Sequence, residues 1–137
     1  MASIQRDVDV EVPLRDGWDA LRDVGRIHER LVPGFVSDCR MEGRVRVVTF
    51  GNGTVLREPI LDVDDARHRV AWAGVGGAFE HYNASVQGFD LGGGRTRLRW
   101  IADLLPDEAA PAVAGMIEEG LAVMKRTLEG TRSASSA

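Results

Sequence analysis

From Phe35 to Leu104 apolar and polar residues alternate with a period of two, and the interruptions are short: "GNG" at 51–53, "DDAR" at 64–67, "GVGG" at 74–77 and "GGG" at 92–94. Antiparallel neighbours close through loops of that size, whereas a parallel crossover needs a dozen or more residues. The stretch therefore predicts an antiparallel meander with strands near 35–42, 44–50, 54–64, 68–75, 79–90 and 95–104. Pro59 lies inside the third of these and removes one ladder donor, which predicts a bulge or an edge position there.

The flanks obey other periods. Ile4, Val8, Val10 and Val12 alternate with Gln5, Asp7, Asp9 and Glu11, the pattern of a strand over 3–12 with one wet face. Pro13 then suits the start of a helix carrying Leu14, Trp18 and Leu21, and Val24, Ile27, His28 and Leu31 share the stripe of a second short helix that ends at "VPG" (32–34). After "LPDE", with Asp107 as its expected N-cap, a long final helix is predicted to about Gly130. Val113, Ile117, Gly120, Met124 and Leu128 line its apolar face, flanked by Met116 and Leu121. Residues 1–130 then form one domain, and 131–137 are expected to be a disordered tail.

Parity fixes what that helix must cover. If "GVGG" sets Trp72 opposite Tyr82, Val70 falls opposite Ala84 and His68 opposite Val86, and "GGG" sets Val86 opposite Trp100. Trp72, Tyr82 and Trp100 then share one face with small aliphatic residues, while Arg95, Arg97 and Arg99 share the other. Gly120, at the middle of the covering helix, costs about 0.8–1.0 kcal/mol of propensity against Ala. Two explanations stand: a tryptophan ring presses on the helix backbone at Gly120, or the glycine leaves room for a guest between the adaptable side chains of Met116 and Met124.

The remaining properties exclude function classes. A chain of 137 residues can remove roughly 68% of its unfolded surface from water, enough for a core without disulfide or metal. The net charge of −4, with Lys and Arg scattered among Asp and Glu, offers no basic track for nucleic acid. The N-terminus lacks a secretory apolar run and no segment reaches the length of a membrane span, so a cytoplasmic location is expected. The single cysteine, Cys39, reads as a small buried strand residue with no base beside it.

Several stretches together resemble the SRPBCC or START-like superfamily, which includes polyketide cyclase/dehydratase-like proteins: "VDVEVPLRDGWDALRDV" (8–24), "PGFVSDCRMEG" (33–43), "REPILDVDDARHRVAW" (57–72), "TRLRWIADLLPDE" (96–108) and "GLAVMKRTLEG" (120–130). The resemblance spans nearly the whole chain and carries no catalytic signature. It implies an α+β helix-grip fold, a curved seven-stranded antiparallel sheet wrapped around the C-terminal helix with two short helices between strands 1 and 2. It also implies a cavity between sheet and helix that holds a small hydrophobic or aromatic molecule, lined by Trp72, Tyr82, Trp100, Met116, Gly120 and Met124, with His28 near the mouth.

For chemistry, the residues offer less. An imidazole at His28 can act as acid, base or donor near neutral pH, although a lone His on an apolar stripe also serves as a rim residue. His68 and His81 differ in strand parity, and no spacing suits a metal, so neither metal nor cofactor is expected. A three-residue "GNG" loop sets Glu58 across from Arg46, the arrangement of a cross-strand ion pair. The Tyr82 hydroxyl points toward the guest, where it can orient a carbonyl or donate a proton. Three readings follow: a binding protein for a small hydrophobic or aromatic ligand, a polyketide cyclase/dehydratase-type enzyme using the same cavity, or a protein-interaction module of the chaperone-activator type. A monomer or a homodimer suits each of them.

Overall fold

The computed structural model describes residues 1–77 and 79–136, with side chains to residue 130. Seven strands, β1 (Ala2–Val10), β2 (Val36–Glu42), β3 (Val45–Phe50), β4 (Val55–Asp64), β5 (Arg69–Ala73), β6 (His81–Gly92) and β7 (Arg95–Leu105), form one sheet in the order β1-β7-β6-β5-β4-β3-β2. All neighbours are antiparallel. Two short helices, α1 (Leu14–Arg22) and α2 (Ile27–Arg30), carry the chain from β1 at one edge to β2 at the other, and α3 (Ala110–Ser136) closes the inner face. This is the expected helix-grip arrangement.

Local sequence explains most boundaries. Pro13 has φ −62° and extended ψ, and its carbonyl accepts from the N–H groups of Asp16 and Gly17, so it caps α1 from just outside. The bulge foreseen for β4 falls at Leu61, between the Ile60 and Asp62 pairings, and Pro59 pairs only with Val45 of β3. The missing N–H thus sits where one ladder ends and the next begins. Asp107 does not cap α3. It opens a 3-10 turn, Asp107–Ala109, that precedes the helix, and its carboxylate lies 3.4 Å from the N-terminal amine of Met1. Helical backbone continues past Gly130 to Ser136, while the tail expected over 131–137 lies outside the residues whose side chains are described.

Alternation along β7 is complete: from Thr96 to Leu104 every second residue is buried, and the intervening arginines reach solvent. On that outer face Arg97 and Arg99 bridge to Asp9 and Asp7 of β1 at 2.8 and 2.9 Å. Inside, Val86, Leu98, Ala102, Leu104 and Ile117 are at most 1% exposed and weld sheet and helix into one core. The β5–β6 register differs from expectation. Trp72 pairs with Ala84 and Val70 with Val86, because the connection runs from Gly74 to Glu80 instead of closing within "GVGG". An even slip of two residues leaves every side chain on its predicted face, and the β6–β7 pairing, set by its own turn, keeps Val86 opposite Trp100 as expected. His68 no longer pairs with Val86; it occupies a turn with φ +57°, its carbonyl accepts from the N–H of Gly88 at 2.9 Å, and its ring packs edge-on against Trp18.

Candidate functional site

Under α3 the inner face does not pack solid. A chamber of about 60 Å³ remains, walled by Trp72, Tyr82, Trp100 and Val86 of the sheet and by Met116 and Met124 of the helix. At roughly 10–15 Å³ per water this is room for a handful of waters, and against the roughly 150 Å³ of an apolar cavity that takes up benzene, a ring enters only as flexible side chains such as Met116 and Met124 give way. Leu21, Ile27, Leu31 and Val32, from α1, α2 and the turn after them, seal its far side. The wall is apolar apart from Arg46, Glu58 and the tips of Tyr82 and the tryptophans.

A wider vestibule of about 670 Å³ lies outside, at the sheet end where α3 begins. Phe35, Phe50, Leu56, Phe79 and Met116 line both spaces and so form the partition between them. The phenylalanines are not locked in the core: Phe35 and Phe50 meet edge-on with centroids 5.7 Å apart, and Phe79 tilts against Tyr82 at 4.8 Å. Sequence reasoning missed all three. Their signal was topological, since alternate connections of an up-and-down meander share one end of the sheet. Phe35 immediately precedes β2, Phe50 closes β3 and Phe79 sits in the β5–β6 connection, all at that one end.

Gly120 does not open onto the chamber. A Cβ there would stand 2.8 Å from Cζ3 of Trp100 and 3.3 Å from Cε1 of Phe35, so the glycine seats the Trp100 ring against the helix. Of the two explanations offered by the sequence, close packing is the one realised, and the expectation that Gly120 leaves room for a guest is corrected. His28 is also displaced from its expected place. It is not among the chamber's lining residues; its Nε2 lies 3.4 Å from Glu29 at the surface, and its buried Nδ1 has no partner among the described residues.

Arg46 and Glu58 pair across β3 and β4 as predicted, but on the inner face. Nε and one terminal nitrogen of Arg46 approach Glu58 Oε1 at 2.9 and 2.8 Å, with side chains 5% and 7% exposed. The other terminal nitrogen donates to the Val24 carbonyl at 3.3 Å, and the guanidinium lies 5.1 Å from the Trp72 ring centroid. Burial raises the Glu58 pKa above its ordinary value while Arg46 pulls it down; burial is the larger influence. Burial also raises the Tyr82 hydroxyl, helped by the negative charge of Glu58 and opposed by a contact from Trp100. That contact falls short of a well-formed hydrogen bond. Trp100 Nε1 is thus a buried donor without a partner among the described residues.

Cys39 is buried, and burial pushes its thiol up, the behaviour of a structural cysteine. Among the described residues no three His, Cys, Asp or Glu side chains are grouped to hold a metal ion, and no helix is long and apolar enough to cross a membrane.

Solved structures match nearly the full length of the chain. Zhui aromatase/cyclase from Streptomyces sp. R1128 superposes with a TM-score of 0.76 at 19% identity, covering 99% of this chain and 96% of that one. A START superfamily protein from Mycobacterium smegmatis gives 0.72 at 17%, covering 94% and 95%. The protein XoxI from Bacillus cereus gives 0.84 at 14%, covering 93% and 96%. At such identities the likeness establishes the fold. No curated protein matches the sequence significantly. The family model for polyketide cyclase / dehydrase and lipid transport proteins, however, matches residues 1–129, so with its helix-grip fold and START-type neighbours the chain belongs to that family.

Proposed function

We infer that this protein binds a small hydrophobic or aromatic molecule, with one ring in the inner chamber and any longer portion extending past the phenylalanine partition into the vestibule. Family membership supports a ligand-binding or cyclase role. The observation that carries the binding reading is the chamber itself, an unfilled apolar space beneath α3 walled by Trp72, Tyr82, Trp100, Met116 and Met124. Ligand pockets are mostly apolar walls with a few placed polar groups, and methionines at the wall adapt to a guest larger than the resting space.

Methyl NMR tests it with internal controls. Titrating p-xylene should shift the Met116 and Met124 methyl resonances saturably and leave the exposed Met1 and Met41 unmoved. Equal shifts at all four methionines, or none, would refute the reading.

A cyclase/dehydratase-type activity in the same chamber is a second reading, favoured by the proximity of Glu58 to Tyr82, two titratable groups on one apolar wall. Enclosure would hold a reactive chain folded, and the two groups would move protons. Unchanged turnover of a candidate polyketide in both Tyr82→Phe and Glu58→Gln would exclude it.

A further inference from the structure

The polar groups on the chamber wall are arranged unevenly, and the unevenness specifies what a guest must carry. Trp100 is 6% exposed, and its Nε1 is a buried donor with no hydrogen-bond partner among the described residues. Trp100 and Tyr82 both line the chamber, so the idle indole N–H and the Tyr82 hydroxyl share one wall. A neutral tyrosine hydroxyl carries a proton to donate. Tyr82 is 4% exposed and lines the chamber, so its hydroxyl proton has the chamber to face. Burial and the nearby Glu58 charge keep that proton on the oxygen.

The cationic group on the wall is already engaged. Two Arg46 nitrogens meet Glu58 Oε1, the third donates to the Val24 carbonyl, and Trp72 covers the guanidinium face. The pair is neutral as a unit, and an anionic guest would bring a second negative charge beside Glu58 where water does not screen it.

We propose that the chamber selects a neutral single-ring guest bearing one acceptor oxygen, as in an aryl ketone. The guest oxygen accepts a hydrogen bond from the Tyr82 hydroxyl, Trp100 Nε1 stands on the same wall as a second donor, and the Arg46–Glu58 pair rejects carboxylates. The proposal rests on the reading that the chamber takes an apolar guest, and it adds the polar atom that guest presents. Guest binding brings an acceptor to a wall that carries two donors, the Tyr82 hydroxyl and the otherwise idle Trp100 Nε1.

Three probes of similar size separate the possibilities: ethylbenzene, acetophenone and benzoate, titrated into the full-length protein by NMR. Acetophenone should bind the wild-type protein, lose about tenfold in Tyr82→Phe, and move the Trp100 indole N–H resonance downfield, while ethylbenzene changes less than about twofold in the variant. Benzoate should bind at least about tenfold more weakly than acetophenone, and Glu58→Gln, which frees Arg46, should narrow that gap. If ethylbenzene binds but acetophenone is indifferent to Tyr82→Phe, or benzoate binds the wild-type protein as well as acetophenone does, this proposal fails and the binding reading survives. If none of the three binds, both fail. Should Glu58→Gln not fold, the Tyr82→Phe comparison and the indole shift still decide.

Discussion

Replacing Gly120 and Gly115 by alanine, one at a time, offers a controlled measurement of how tightly the helix sits on the sheet. Both glycines lie inside α3, so each alanine gains about 0.8–1.0 kcal/mol of helix propensity. At Gly115 a Cβ meets nothing within 4 Å. The whole gain should therefore appear, raising Tm by about 2–4 °C for a domain of this size. At Gly120 the new carbon would stand 2.8 Å from a Trp100 ring carbon and 3.3 Å from Phe35. A ring cannot swing aside as the end of a methionine can, and Trp100 is braced from behind by Trp72, whose ring centroid is 5.8 Å away. Overpacking of this kind costs about 1–3 kcal/mol, so Gly120→Ala should come out neutral to about 2 kcal/mol less stable than wild type. The deciding quantity is the difference between the two variants in urea unfolding, expected at about 1–3 kcal/mol. Equal stabilisation by both alanines would mean that the space beside Gly120 is open, and the account of Trp100 seated on the helix would be wrong.

Two further outcomes follow from the charged groups. Arg46→Met should cost about 3–5 kcal/mol in urea unfolding because it strands Glu58 inside the chamber, whereas Arg46→Met combined with Glu58→Leu should recover most of that loss; equal losses in the single and double variants would show that the pair is not coupled. On the outer face, Arg97 holds the Asp9 carboxyl below its ordinary value of 3.8, and hydrogen bonds from Arg30 and Arg22 do the same for Asp19 and Asp65. A carboxyl depressed in the folded state contributes stability above its unfolded value that is lost as pH falls through its folded one. Tm should therefore drop as pH is lowered below about 4, with a shallower slope in Asp9→Asn, and parallel Tm–pH curves for the two proteins would contradict the Asp9 assignment.

Much of this architecture was legible because strand periodicity is a local property. The alternation from Phe35 to Leu104, the short Gly-rich breaks and the amphipathic last segment determine a meander closed by a helix, whichever tertiary details follow. Face assignment was equally safe: a period of two tolerates an even register error, so Trp72, Tyr82 and Trp100 point inward although the β5–β6 pairing lies two residues from its expected place. The Arg46–Glu58 pairing could be counted from the three-residue "GNG" loop. What the pair faces could not, because burial of a cross-strand pair depends on which side of the sheet the distant helix covers.

Tertiary structure alone decided the rest. Gly120 admitted either a gap or a seat in the sequence, and the choice is made by Trp100, twenty positions upstream in another element, whose ring lies against it. His28 keeps its helical stripe, but the orientation of a four-residue helix follows from what its neighbours bury, and its imidazole turns toward Glu29 at the surface. The partition of Phe35, Phe50 and Phe79 exists only because three connections distant in sequence converge at one end of the sheet. Hydrophobic pattern is encoded residue by residue and survives small errors of alignment. The shape of a cavity and the partner of a buried donor depend on sub-ångström contacts between elements far apart in the chain, which no local pattern carries.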